Sequence, residues 1–451
     1  MTTAANSQTT NAKRQGTILV ISQVYVPDPT SVGQHMADAA AEMAARGYRT
    51  IAYAAANGYD DPTIKYERRE TRDGVDIQRF RFSSFGKGSI KVRLLAQFLF
   101  LIQCIVRGLF IRDLRGIIVS TSPPMAGIAS TLLSWIRGAP VTFWAMDLNP
   151  DQMVAMGMIT EQSLPARVFN FINRRLLRNA KAVVALDRFM LDRLNRKTEV
   201  TAKSEVFPPW PHDDHLETVA HEDNPFRKEQ GLDGKFVVMY SGNHSPANPI
   251  GTLIEAAEQL RDRDDIVFMF IGGGLQKQAV AEAIERAKAA GVPEDRINIR
   301  SLPYQPIESL KYSLSSADLH VVTVGDEVVG IVHPCKVYGA MSVGRPVLTF
   351  GPESCHLSDL VSRYGIGRHV PHGDVAGARE AIESLAATDP ETLASMGRSA
   401  SEAVARDLSK AALCKRFGDI VDRSIAGPSA APNASPASDN SEPQPQPERA
   451  A

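Results

Sequence analysis

Short apolar runs alternate along this chain with longer stretches in helical register. Residues 17–22, T-I-L-V-I-S, are a mainly apolar run of strand length, the pattern of a buried strand. The loop Q-V-Y-V-P-D-P-T-S-V-G follows, where Pro27 and Pro29 argue against a helix and Gly33 closes the segment. A helix is predicted from about Gln34 to Arg46, stopped by Gly47, and R-T-I-A-Y-A-A then reads as a second strand. Strand, glycine-bearing loop, helix and strand open a doubly wound parallel sheet. The alternation continues at G-I-I-V-S-T (116–121) and P-V-T-F-W-A-M (140–146). It restarts near Lys235 with K-F-V-V-M-Y-S-G-N, a helical T-L-I-E-A-A-E-Q-L and the strand D-I-V-F-M-F-I-G-G-G.

Between these two blocks, K-S-E-V-F-P-P-W-P-H-D-D-H has the proline content of a linker. Past about Ile425 the chain has no aromatic or branched aliphatic residue and cannot bury a core. The expected organisation is an α/β chain of two doubly wound Rossmann-like domains with a cleft between them. Residues 16–205 form the first and 206–408 the second. A C-terminal helix covers 409–425, and 1–15 and 426–451 are disordered. A length of 451 residues suits two cores and a tail.

Charge changes little in this picture. Fifty basic residues face 51 acidic ones, so no global field argues for nucleic acid. Cys104, Cys335, Cys355 and Cys414 are scattered without C-x-x-C pairing, which argues against a disulfide framework or zinc cluster and for a reducing compartment. The polar N-terminus lacks the apolar region of a signal peptide, and the cytoplasm is the expected location.

The most specific text is E-V-V-G-I-V-H-P-C-K-V-Y-G-A-M-S-V-G-R-P-V, from Glu327 to Val347. Gly330 opens a loop that enters a helix, Lys336 follows after I-V-H-P-C, and Gly344 and Pro346 end that helix before a new strand. A helix N-terminus behind a glycine is a ready anion site, and Lys336 adds a positive charge to it. An ordinary αβ connection with a surface lysine is the alternative. The segment resembles the nucleotide-sugar loop of retaining glycosyltransferases of family 4, which have the GT-B fold and an A-M-A-x-G-x-P-V signature. The resemblance covers roughly residues 16–423.

That resemblance implies donor contacts at several positions. Gly242, Asn243 and His244 correspond to the first loop of the second domain, where a glycine lets the backbone approach a diphosphate and the next amides could bind its oxygens. Ile271-Gly272-Gly273-Gly274 resembles the family's I-G-x-G turn, with a tight structural turn as the alternative reading of Gly273. Tyr304, in L-P-Y, either stacks on a nucleobase or packs at a domain edge. Two departures matter. The paired glutamates eight apart are not matched, since Cys335 follows Glu327 at that spacing and Gly339 stands where the second is expected. The usual arginine and lysine of the first loop are also replaced, by Asn243-His244 and Pro249-Ile250-Gly251. H-P-C-K resembles the P-S-K text of bacterial polysaccharide transferases, which makes Lys336 the expected principal cation for the diphosphate. Asp262-x-Asp264 and the H-D-D-H histidines, His212 and His215, read as solvated surface groups, so no metal is expected.

On the acceptor side, Asp147 ends the strand of F-W-A-M-D-L-N-P-D, which resembles W-x-x-D-L-x-P-D/E of polysaccharide transferases. The carboxyl ends of parallel strands line the ligand crevice, which suits Asp147 to an acceptor hydroxyl. Its alternative role is a helix cap, one that Asp151 fills more naturally. Residues 90–112 are the most apolar segment, and their charge-free core, Leu94–Val106, is too short to span a bilayer. Arg93, Gln97, Gln103 and Arg107 gather on one side of a wide apolar helix. It either lies at a membrane surface or is buried in the first domain.

The expected activity is metal-independent retaining transfer of a sugar from a nucleotide-sugar donor to a polyprenyl-diphosphate-linked saccharide for a surface polysaccharide. The enzyme would sit peripherally at the inner face of the cytoplasmic membrane and need no cofactor. Asp147 is the candidate catalytic residue. Gly242, Asn243, His244, Gly273, Tyr304, Glu327, Gly330 and Lys336 form the donor site, with Gly33 in the acceptor/donor loop. A nucleotide-sugar epimerase on the same fold and a catalytically silent membrane-associated scaffold are the alternatives.

Overall fold

The computed structural model of the protein describes residues 15–58, 61–81, 83, 90–211 and 218–427. Most of the two expected disordered ends, residues 1–14 and 428–451, lies outside the described residues, as do His212 and His215. The first eight described strands are β1 (Thr17–Ile21), β2 (Arg49–Ala55), β3 (Arg69–Arg72), β4 (Val75–Phe80), β5 (Leu114–Val119), β6 (Val141–Trp144), β7 (Ala182–Ala185) and β8 (Ser204–Val206). They form one sheet in the order β3-β4-β2-β1-β5-β6-β7-β8. The second sheet holds β9 (Phe236–Ser241), β10 (Ile266–Ile271), β11 (Ile299–Leu302), β12 (Leu319–Thr323), β13 (Val347–Phe350) and β14 (Gly367–Val370). Its order is β11-β10-β9-β12-β13-β14. Every pairing is parallel except β3 with β4.

The central strands read as continuous apolar runs because helices cover both faces of each sheet. All five residues of β1 and all six of β10 are buried. The expected pair of Rossmann-like domains is therefore present. The antiparallel edge has a local cause: Asp73 and Gly74 both take positive φ, the geometry of a tight two-residue hairpin.

Two expectations change. The first helix spans Ser31–Ala45, so Gly33 lies in its opening turn and not in the loop. A Cβ at Gly33 would stand 3.1 Å from the Tyr25 amide nitrogen, so close packing on that backbone explains the glycine. The proline-rich connection is also no loose tether at its start. β8 completes the first sheet, and Trp210 is buried with its ring 4.9 Å from that of Trp144. Its indole donates to Asp38 at 2.9 Å, and its carbonyl lies 2.9 Å from His35 Nε2.

The last helix, Lys410–Ala426, leaves the second domain and packs on the first. Phe417 stacks 4.6 Å from Trp144, and Arg46 reaches Asp419 and Asp422 at 2.8 and 2.6 Å. The residue 90–112 segment resolves into one helix, Ile90–Leu109, with two apolar faces. Ala96, Phe100, Leu101 and Cys104 are core, while Leu95, Phe98, Ile102 and Val106 are exposed. The buried reading holds for one face, and the other is exposed. Among the described residues no helix is long and apolar enough to cross a membrane.

Candidate active site

β9 and β10 end side by side, and the glycine turns after them touch. Gly242 (φ +124°) donates its amide to Ile271, and a Cβ on Gly272 (φ +127°) would lie 2.1 Å from the Gly242 carbonyl oxygen. Only glycine permits that approach in both turns. Tyr304 covers the second turn, with a ring carbon 3.1 Å from where a Gly273 Cβ would be, and it remains exposed.

Lys336 lies across the first turn. A Gly242 side chain would collide with its Cε at 2.7 Å. The ammonium donates to the Tyr240 hydroxyl at 2.5 Å and the Asn243 carbonyl at 2.6 Å, above the Tyr240 ring. These are neutral partners, Lys336 forms no ion pair among the described residues, and burial pulls it down to about 7. His244 is buried with its ring against Tyr240. Burial holds it below the ordinary histidine range, and its Nε2 finds no partner among the described residues. A neutral imidazole and an uncompensated ammonium beside two glycine turns suit an anionic ligand.

The expected backbone contribution is smaller than the sequence implies. The amides of Gly242 and His244 are engaged by Ile271 and Gly273, at 2.8 and 2.7 Å. The helix behind Lys336 is the short Lys336–Ser342, and the Cys335, Val337 and Tyr338 amides turn back onto their own loop. The positive charge of the site therefore rests on the lysine side chain more than on a helix dipole. Glu327 sits exposed on a single 3-10 turn, Asp326–Val328, with no side-chain hydrogen bond or ion pair among the described residues. Gly330 is placed at the contact between domains and not beside the glycine turns: a Cβ there would be 2.5 Å from the Phe189 carbonyl oxygen. Asp262 and Asp264 lie on an exposed turn, as expected.

Asp147 follows β6 and faces this loop from the first domain. The next residue, Leu148, donates its amide to Ile331 at 3.0 Å, and Thr121 Oγ1 lies 3.2 Å from the Asp147 amide. Burial pushes Asp147 up to about 6, with His333 pulling the other way. The carboxylate borders a hollow lined also by Ser120, Thr121, Asn149, Asn173 and Lys197. The helix-cap reading fails, because the next helix begins at Asp151 with Pro150 before it.

One feature was not foreseen. A buried hydrogen-bonded chain clasps the two domains. Asp187 caps the helix Arg188–Lys197 through the Met190 amide and bonds His333 Nδ1 at 2.8 Å. His333 Nε2 meets the Tyr338 hydroxyl at 2.7 Å, which meets His356 Nε2 at 2.8 Å. Burial pushes the Asp187 carboxyl up, but the His333 bond and charge prevail and hold it below the ordinary range. His356 is held well below its usual range by burial. Ligand atoms of Asp187, His333 and His356 lie within 4.8 Å of one another, but the Tyr338 hydroxyl bridges the two imidazoles, which suits a hydrogen-bonded relay better than a metal. His333 precedes Lys336 by three residues, so the clasp sets where the lysine stands. Replacing His333 with alanine takes one buried partner each from Asp187 Oδ2 and the Tyr338 hydroxyl and should cost ~1–3 kcal/mol of stability. Urea titration followed by tryptophan fluorescence measures this, and a loss well under that range would make the clasp incidental.

Comparison with known proteins agrees with this architecture. Glycosyltransferase WbjE, a probable glycosyltransferase of Pseudomonas aeruginosa, is 23% identical over 389 residues, 85% of this chain and 92% of that protein. WcaI of Escherichia coli strain K12, whose name assigns it to colanic acid biosynthesis as a glycosyl transferase, is 25% identical over 260 residues. That match covers 57% of this chain and 60% of WcaI. The crystal structure of Anabaena HepE in complex with UDP and glucose superposes with a TM-score of 0.66 at 14% identity, covering 90% of this chain and 99% of that one. Residues 30–210 match the glycosyl transferase 4-like domain and residues 222–403 match glycosyl transferases group 1, and the chain belongs to this family of two-domain GT-B glycosyltransferases.

Proposed function

We propose that this glycosyltransferase moves a sugar from a nucleotide-sugar donor onto a polyprenyl-diphosphate-linked saccharide, with retention and without a metal, in surface polysaccharide synthesis. The observation that carries the reading is the Lys336 ammonium, held over the Gly242 turn by neutral groups. The UDP and glucose bound by HepE and the polysaccharide role in the name of WcaI support the donor and the pathway class.

In this mechanism the acceptor hydroxyl adds to the anomeric carbon on the face that the diphosphate leaves. The glycosidic bond forms as the sugar–phosphate bond breaks, and the electron pair departs with the nucleoside diphosphate. Lys336 balances the charge that develops there, a preorganised electrostatic contribution. The Asp147 carboxylate receives the proton of the acceptor hydroxyl. Membrane contact through residues 90–112 brings the enzyme to its lipid-linked substrate, at the inner face of the cytoplasmic membrane.

The test is incubation with a panel of nucleotide sugars, with and without a polyprenyl-diphosphate saccharide. Lipid-extractable product together with released nucleoside diphosphate is expected only with acceptor. Sugar isomers formed from donor alone would indicate an epimerase, and tight donor binding with no turnover would indicate a scaffold.

The two shifted groups give a pH signature. Asp147 must be ionised and lies near 6, while Lys336 must be protonated and lies near 7. For the free enzyme, kcat/KM should rise with pH through about 6 and fall above about 7. Bound diphosphate favours protonated Lys336, so the alkaline limb of kcat should lie at higher pH than that of kcat/KM. A kcat/KM profile flat between pH 5 and 9 would remove both assignments.

A further inference from the structure

The exposed apolar side of helix Ile90–Leu109 is one third of a larger surface. Helix Ala126–Arg137 packs beside it where Gly108 meets Leu133, and helix Leu164–Asn179 packs beside that where Gly127 meets Leu176. Two contacts tie the outer surfaces together. Arg137 donates to the Ile111 carbonyl at 2.7 Å, just past the end of the first helix, and Arg175 lies over the Trp135 ring at 4.7 Å. Among the described residues, twelve of the eighteen exposed large hydrophobic side chains belong to these three helices. Such concentration marks an interaction surface.

Its charge selects the partner. The three helices contain no aspartate or glutamate, although a stretch of their combined length would hold about five at the average of this chain. They carry eight lysines and arginines, four of them in the third helix. Arg167, Arg174 and Arg178 are exposed, and none forms an ion pair among the described residues. Leu164 and Phe171 on the same helix are 72% and 69% exposed, so they protrude between the arginines. Protruding apolar groups between arginines, on helices that carry no carboxylate, fit lipid headgroups and the acyl chains just beneath them.

We propose that these three helices form one platform that docks on an anionic phospholipid bilayer, with the arginines of Leu164–Asn179 holding the headgroups. This rests on the membrane reading above and extends it to two helices outside residues 90–112. The second and third helices also line the hollow beside Asp147, through Gly127, Asn173, Leu176 and Leu177. Docking therefore sets the mouth of the acceptor side close to the headgroup layer, where a lipid-linked saccharide presents its sugar.

The test is flotation of the full chain with vesicles of phosphatidylcholine alone or mixed with phosphatidylglycerol. Wild type should float with the anionic vesicles, less at high salt. The triple variant R167E/R174E/R178E should lose at least about tenfold in partitioning, since each basic residue near an anionic surface contributes about 1 kcal/mol. Its circular dichroism and its turnover on a short-chain, water-soluble acceptor should match wild type. A triple variant that floats like wild type overturns the platform, even where F98S/I102S abolishes binding and so leaves the single-helix reading intact. Absence of transfer by wild type on any acceptor sinks the functional reading independently of flotation. If the wild type is a dimer in sedimentation without lipid and L164S/F171S makes it monomeric, the face is a contact between copies and the proposal fails.

Discussion

Changing Asp147 to asparagine should lower turnover by roughly 10²–10⁴-fold, the usual contribution of a positioned general base. Donor affinity should stay within about twofold, a change under ~0.5 kcal/mol. The separation follows from position: Asp147 follows β6 in the first domain, whereas Lys336 and the glycine turns belong to the second. Asparagine keeps the shape beside Thr121 and removes only the carboxylate's capacity for a proton. The acid limb of the pH profile should vanish with it, because the group near 6 is gone. Calorimetry with the donor and initial rates with the acceptor measure both quantities. Equal losses in binding and turnover would place Asp147 on the donor, and wild-type rates would make it a spectator.

Removing the Lys336 ammonium has a comparably large effect on the other half of the reaction. Lys336→Ala should weaken nucleoside diphosphate binding at least about tenfold, or ~1.4 kcal/mol. Charge-assisted hydrogen bonds to an anion contribute ~1.5–3 kcal/mol, and the first loop has no arginine or lysine to compensate. The wild-type affinity should also fall as pH rises above about 7, since binding must then supply a proton to a neutral amine. In the alanine variant that dependence should disappear. A folded variant with unchanged diphosphate affinity would rule out this role.

How far the sequence led depends on what each element shows of itself. Runs such as I-V-F-M-F-I are strands buried on both faces, and their apolar continuity is visible without a structure. The D-G pair behind the β3–β4 hairpin was equally visible, but the flanking R-E-T-R is polar and exposed, so it did not read as a strand. Helix Ile90–Leu109 shows a different limit. Phe98 and Phe100 are both apolar, yet one is exposed and the other is core, and only the neighbouring helices decide which. Lys336 was legible because its loop carries a specific text. The clasp was not, since Asp187, His333, Tyr338 and His356 have no regular spacing, and Asp187 joins the other three only where the two domains dock. The amides of Gly242 and His244 misled through a contact inside the second domain. A glycine turn looks open in sequence, and the neighbouring strand's turn had already taken its donors.

The return of the Lys410–Ala426 helix to the first domain has a mechanical consequence. After the second half the polypeptide comes back to the first, directly behind the π-helix Val404–Leu408. Asp147 and Lys336 stand in different halves, so their placement relative to each other depends on how the halves are held together. Neither half can be cut away as an intact piece, because the last segment of the chain is the wall against which Trp144 of the first half is packed.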